Sequence, residues 1–310
     1  MLILVSDTGG TNTRLALFEK GGSKLEHLAK FPNKDFQSLY AVVESYLNQT
    51  RAKPDAYCLD VAGPVANGTA QLTNIDWTIS ETDMAQEMGI PSVKIINDLV
   101  AMGLSLTHLD AGGLDVMHAG DVAKFDNEQS LVINLGTGFN ICPVKEVPQP
   151  IALAVEAGHS ATPQDVMTLL AQELDPQTLG QFDTVEKCFA GRRVKGLFAA
   201  LGGDGEMETK AIVHAALADD PIAVRTLRLF QRMLGLYTAS TALNYLPQRG
   251  IYFAGSVARG VLAFEKGTHF FDALNQPRKF SDRVAAMPIK VIKEDAAPLW
   301  GCVEKALQTI

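Results

Sequence analysis

Asn97-Asp98 is the pair best suited to chemistry in this chain. It directly follows Val93-Lys94-Ile95-Ile96, a short apolar run that reads as a buried strand. A residue there sits at the carboxyl end of a strand, where open α/β sheets bind ligands. Asp98 could take a proton from a substrate hydroxyl. It is equally a natural cap for the helix expected over Leu99 to Leu106. The two roles are compatible, because capping would fix the side chain near the ligand. Glu156-Ala157-Gly158-His159 sets a carboxylate and an imidazole around a tight bend. Such groups hydrogen-bond the hydroxyls of a polyol. No Cys/His cluster accompanies them, which weakens a metal reading. Glu186, on the segment Thr184 to Gly191, reads by default as a solvated charge on a helix.

A second chemistry is written at the start of the chain. Leu2 to Val5 and Arg14 to Leu17 flank Ser6-Asp7-Thr8-Gly9-Gly10-Thr11-Asn12-Thr13. Two strands around such a turn could form an ordinary hairpin. They could also form a phosphate cradle: Gly9 and Gly10 permit positive φ and close approach, while backbone N–H groups and Thr hydroxyls face the anion. Asp7 could then face a bound cation. The pattern returns at Ser130 to Asn134, where a strand enters Leu135-Gly136-Thr137-Gly138-Phe139-Asn140 and leaves as Ile141 to Val144. Two copies of one unit suggest two similar half-folds. Two facing phosphate turns would suit a nucleoside triphosphate. The chain has neither a Walker A lysine loop nor a GxGxxG after its first strand, which sets aside P-loop and Rossmann readings.

Other elements must position these groups. Strands are expected at Ala56 to Val61, Val93 to Ile96, Ile251 to Ala254 and Pro288 to Ile292. Helices are expected at Ile79 to Gly89 with Ser80 as cap, Asp165 to Glu173, Pro221 to Tyr245 and Pro298 to Leu307. The long helix is expected to break or bend near Gly235, and Gly202 to Gly205 to form a flexible surface loop. Thr107 to Glu128 is less periodic and could contain a domain junction. Alternating strands and helices make this an α/β protein. At 310 residues, 47% of them hydrophobic, the chain has length for about two domains. The expected division is a smaller α/β domain over 1–107 plus 298–310 and a larger one over 108–297.

The net charge of −8 argues against nonspecific nucleic-acid or anionic-membrane binding. No apolar run approaches the ~20 residues of a membrane span, and the first residues do not read as a signal peptide. Cys58, Cys142, Cys188 and Cys302 are scattered, without CxxC spacing. They are expected to be reduced, in the cytoplasm, with no disulfide framework or zinc site.

With these segments assembled, the chain resembles the bacterial glucokinases of the sugar-kinase/actin/Hsp70 superfamily. The likeness runs along nearly the whole chain, in order. Asp7 to Arg14 resembles the first phosphate motif. Ala62-Gly63-Pro64-Val65 and Leu72 to Trp77 resemble the approach to the sugar. Ile95-Ile96-Asn97-Asp98 resembles the segment with the catalytic aspartate, and Gly136-Thr137-Gly138 the second phosphate loop. Glu156 to His159 and Glu186 fall where the family has sugar ligands, and Ala254 to Arg259 resembles the adenosine motif. The resemblance implies a two-domain actin-like ATPase fold, ribonuclease-H-like, with a central cleft. It implies ATP-dependent phosphorylation of glucose at its 6-hydroxyl, with Asp98 as base. Asn97, Glu156, His159 and Glu186 would hold the other hydroxyls. The nucleotide would meet Asp7, Gly9, Gly10, Thr11, Asn12, Gly136, Thr137, Gly138 and Gly255. Asp7 would position Mg²⁺ through water. A homodimer is the assembly the family suggests. The scattered cysteines resemble the zinc-free branch of these enzymes.

Four segments depart from the family pattern. Ala157 stands for a usual Gly, Phe139-Asn140 for Leu-Gly, Ala190-Gly191-Arg192-Arg193 for Ser-Gly-x-Gly, and Ser256 for a second Gly. A kinase for another hexose and a non-catalytic sugar-sensing protein are the competing readings. Sugar-responsive repressors of this superfamily carry a DNA-binding helix-turn-helix ahead of the first phosphate motif, and Asp7 is too near the start to expect one. An actin- or chaperone-like ATPase would not call for Asn97, Asp98, Glu156 and His159 together.

Overall fold

The computed structural model describes residues 1–72 and 75–309. Thr73 and Asn74, part of the segment read as leading to the sugar, and Ile310 lie outside the described residues. The chain divides into two compact units: Met1–Leu109 with Pro148–Ala154 and Glu294–Ile310, and Asp110–Val147 with Val155–Lys293.

The first unit is built on a five-stranded sheet. Its centre is Leu2–Thr8, whose interior residues Ile3, Leu4 and Val5 are fully buried. Asn12–Glu19 pairs with it antiparallel, and Ala56–Val61 parallel on the other side. Ser92–Asn97 continues the parallel set. The strands are apolar on both faces because both faces are covered. Leu4, Leu15 and Leu59 pack towards the helix Leu39–Thr50. Ile3, Val5 and Cys58 pack towards the helix Ala297–Thr309. That helix lies so close to the helix Asp98–Leu104 that a Cβ on Gly301 would stand 1.7 Å from the Ala101 carbonyl oxygen.

The second unit repeats the motif. Gln129–Leu135 pairs antiparallel with Phe139–Lys145 and parallel with Gly250–Ala254, and Ile289–Ile292 follows in parallel. The strand that turns back through a Gly/Thr loop is thus the same in both sheets, as its recurrence in the sequence suggested. Leu114–His118 closes the second sheet antiparallel, inside the stretch that read as aperiodic.

Several element readings need correction. The helix expected from Ile79 is Glu81–Met88. Thr78–Ser80 is a short strand, Ser80 Oγ accepts from Asp83 N, and Gly89 at φ 65 ends the helix. Pro221–Tyr245 is one helix of 25 residues without a break. Gly235 serves packing there: a Cβ would lie 2.3 Å from the carbonyl oxygen of Phe270, on the helix Thr268–Leu274. The surface loop at Gly202 to Gly205 includes a packing glycine, since a Cβ on Gly203 would meet the Phe198 ring at 2.4 Å.

Candidate active site

In the first unit the chemistry gathers at the carboxyl ends of three parallel strands. Asp7 and Thr8 end Leu2–Thr8, Asp60 lies beside Asp7 in the register, and Asn97 ends Ser92–Asn97. The helix Asp98–Leu104 starts at once, and its cap is Asn97, not Asp98. Asn97 Oδ1 accepts from Leu99 N at 3.0 Å and Val100 N at 3.4 Å. Asn97 Nδ2 donates to the Gly63 carbonyl oxygen at 3.2 Å, tying this corner to the Ala62-Gly63-Pro64 turn. The cap role weighed for Asp98 therefore belongs to its neighbour. The reason is geometric: Asn97 has extended φ/ψ, −73 and 146, which lets its side chain fold over the first turn.

Asp98 Oδ1 accepts from Leu99 N at 2.8 Å. Burial raises its pKa to about 6, the Asp7 charge adds to the rise, and the bond from Leu99 N opposes it. Asp7 is held by Arg14, Nη1 to Oδ2 at 2.7 Å. Asp60 was not read as a site residue. It is fully buried, with Oδ1 unpartnered and Cys302 Sγ 3.4 Å from Oδ2. Burial, then the Asp7 and Asp98 charges, hold it well above the usual carboxylate range. A carboxylate inside the otherwise apolar run Ala56 to Val61 was its sequence signal.

The first Gly/Thr turn is closed by Gly9 N to the Asn12 carbonyl oxygen at 3.1 Å. Asn33 braces it, donating to the Gly9 carbonyl oxygen at 2.7 Å and accepting from Thr13 Oγ1 at 2.9 Å. Neither Gly9 nor Gly10 uses the positive φ that glycine permits. In the second turn Gly136 N bonds the Gly138 carbonyl oxygen at 3.0 Å, and Gly191 N bonds the Gly136 carbonyl oxygen at 2.8 Å. The one glycine here that must be glycine on both counts is Gly255. It takes φ +94 at the head of the helix Ser256–Ala263, and a Cβ would lie 2.2 Å from the Leu135 carbonyl oxygen.

Glu156, Glu186 and the second turn come together within the second unit. Ala157–His159 is a single 3-10 turn, and a Cβ on Gly158 would lie 2.4 Å from the Phe139 carbonyl oxygen and 3.4 Å from Glu186 Cβ. A Cβ on Gly138 would lie 3.8 Å from Glu186 Oε2. Glu186, on the helix Val185–Phe189, thus stands between the Glu156–His159 bend and the second Gly/Thr loop. It is not a free solvated charge, because Arg192 Nη2 bonds its Oε1 at 2.8 Å. Ala157 sits without positive φ, so glycine is not needed there.

Among the described residues no group of three or more His, Cys, Asp or Glu could hold a metal ion by itself. Asp7 fits a magnesium ion that keeps most of its water and arrives with phosphates. It is one hard oxygen donor, with its other oxygen already on Arg14.

A family model described as glucokinase matches residues 4–309. A glucokinase of Hahella chejuensis is 29% identical over 310 residues, covering 97% of this chain and 95% of that protein. The crystal structure of a glucokinase from an Antarctic psychrotroph superimposes with a TM-score of 0.87 at 26% identity, covering 99% of both chains. A ROK family glucokinase from Streptomyces griseus, in complex with glucose and AMPPNP, superimposes with a TM-score of 0.65 at 19% identity, covering 99% of this chain and all of that one, 100%. The fold is the two-domain, mixed α/β, actin-like ATPase fold.

Proposed function

The chain belongs to the glucokinase family and is an enzyme of that family, and from that premise we propose that it transfers the γ-phosphoryl group of Mg²⁺-bound ATP to the 6-hydroxyl of glucose. The observation that carries the residue assignment is Asp98. It stands at the carboxyl end of a parallel strand with its pKa lifted to about 6 and its helix capped by another residue. A base that titrates just below neutrality is ionised at pH 7 and still basic enough to accept a proton as the new O–P bond forms. Asp98 takes the hydroxyl proton, the hydroxyl oxygen takes the phosphoryl group, and ADP leaves.

The remaining residues bind and orient. Asn97, with its oxygen committed to the helix and its amide to Gly63, is a rigid neighbour for a sugar hydroxyl. Glu156, His159 and Glu186 take the other hydroxyls, and a sugar lacking one would leave a carboxylate unpaired. The turns at Gly9 to Asn12 and Gly136 to Gly138 offer phosphates the backbone N–H groups not already bonded within the turns, and Gly255, which lets the helix Ser256–Ala263 start against the Leu135 carbonyl oxygen, sets that helix end towards the nucleotide. Asp7 would hold a magnesium ion through water, and such an ion would supply the charge neutralisation on the phosphates that phosphoryl transfer requires.

We place the enzyme in the cytoplasm as a homodimer. All four cysteines are free and buried, which suits a reducing compartment, and no helix among the described residues is long and apolar enough to cross a membrane. The deciding experiment is ADP release by the purified protein across a hexose panel with Mg²⁺-ATP. Stimulation by glucose above other hexoses supports the reading. Equal turnover with no sugar or with any hexose overturns it.

A further inference from the structure

Asn140 and Arg192, which lie in two of the segments that depart from the family pattern, each grip one of the two proposed sugar carboxylates. Asn140 uses its whole amide. Its Nδ2 donates to the Val155 carbonyl oxygen at 2.6 Å and to Glu156 Oε2 at 3.2 Å. Its Oδ1 accepts from Ala157 N at 3.0 Å and from Ile141 N at 2.9 Å. One side chain on the strand Phe139–Lys145 therefore holds residues on both sides of Glu156 and the carboxylate itself. Arg192, at the start of the helix Gly191–Ala200, holds Glu186 by its carboxylate alone, Nη2 to Oε1 at 2.8 Å. That helix is tied through Gly191 N to the Gly136 carbonyl oxygen, so Arg192 is carried by the second Gly/Thr loop. Each carboxylate gives one oxygen to its holder and keeps the other, Glu156 Oε1 and Glu186 Oε2, without a protein hydrogen bond among the described residues.

We propose that Asn140 and Arg192 are positioning residues that pre-orient Glu156 and Glu186 for a polyol, so that this chain binds its sugar to carboxylates already fixed. The inference rests on the sugar-kinase reading above. An exposed glutamate samples many rotamers, and a ligand that needs one of them must stop that motion. A single tether on one oxygen removes most of the freedom and leaves the second oxygen's lone pairs for a hydroxyl. The ordering cost is then met in folding, not in binding, which is what preorganisation means for affinity. Arg192 is 61% exposed in its side chain and Glu186 23%, so the ion pair itself adds little to stability. Its effect belongs in the sugar KM.

The test measures steady-state kinetics for Arg192→Ala, Arg192→Lys and Asn140→Ala, each with its melting temperature. Arg192 is exposed, so Arg192→Ala keeps the fold and carries the test even where Asn140→Ala does not. Arg192→Ala is expected to raise the glucose KM about threefold to tenfold, the scale of a released side chain, with the ATP KM within about twofold. Arg192→Lys, which keeps a single charged donor, restores most of the loss. In a Glu186→Gln background the Arg192→Ala effect shrinks to within about twofold, as coupling through that one pair requires. An unchanged glucose KM in Arg192→Ala overturns the inference alone. So does a lower one, which would make Arg192 a competitor of the sugar. An equal effect in both backgrounds overturns it too. No hexose-stimulated ADP release from the unaltered enzyme overturns the kinase reading and this inference with it.

Discussion

Asn97 caps the helix that Asp98 begins. The Asn97 side-chain oxygen accepts from Leu99 and Val100 N–H groups, and its amide reaches the Gly63 carbonyl oxygen. Asp98 is thereby relieved of the structural duty its residue type would suit. It stays in the first turn, partly buried, near the Asp7 charge. The two adjacent positions can therefore be separated by mutation.

Asp98→Asn is expected to lower kcat by about 10²–10⁴ with the fold intact, since it removes the proton acceptor and leaves the cap in place. Its thermal stability should rise above neutral pH. The folded pKa of Asp98 is raised to about 6 from 3.8, so the native state binds the proton more tightly than the unfolded one. Ionisation therefore costs the native state stability as pH climbs from about 4 to about 6, and the cost is complete above that window. An uncharged Asn escapes it. Melting curves at pH 5 and pH 8 check this: the gain over the unaltered protein must be larger at pH 8.

Asn97→Ala should lose stability as well as sugar affinity. Loss of the cap costs about 0.5–2 kcal/mol, with a further loss of the bond to Gly63. A chemical-denaturation midpoint that does not move would refute the cap assignment.

The same titration governs turnover. If Asp98 is the base, kcat/KM falls as pH drops through about 6 and levels off above it. A pH profile of the unaltered enzyme, with saturation by Mg²⁺ held constant, reads the value. An acid limb more than about 1.5 units from 6 would move the role to another group.

Glu156→Gln should raise the glucose KM by roughly tenfold to a hundredfold, the range of a hydrogen bond to a charged group, and the ATP KM much less. If the ATP KM alone responds, Glu156 belongs with the nucleotide.

Gly301→Ala tests the packing behind the site. The added Cβ has no room beside the Ala101 carbonyl oxygen at 1.7 Å, so either helix Asp98–Leu104 or helix Ala297–Thr309 must shift. A loss of about 1–3 kcal/mol or more is expected, with a drop in kcat because Asp98 starts the displaced helix. Unchanged stability would mean the helices separate freely.

Much of this protein was determined by the sequence alone. Apolar runs bounded by Asp, Gly and Thr established the strands Leu2–Thr8 and Gln129–Leu135 and their return partners, because strand formation there needs only local pattern and turn chemistry. The order of motifs established the family. Other things only tertiary structure decided. Which of Asn97 and Asp98 caps the helix depends on a single backbone conformation that both residue types can adopt. Gly235 reads as a break or bend in isolation, yet its helix runs on unbroken, and the missing side chain makes room for the Phe270 carbonyl oxygen of another helix. Asp60 becomes notable only in the folded chain, where burial first, and then two carboxylates from other points of the chain, raise the cost of its charge. The grips of Asn140 on Glu156 and of Arg192 on Glu186 join residues from different segments or turns. Local pattern carries backbone preference; it carries no record of which side chains long-range packing will bring within hydrogen-bond distance, and a positioned carboxylate is made by that distance.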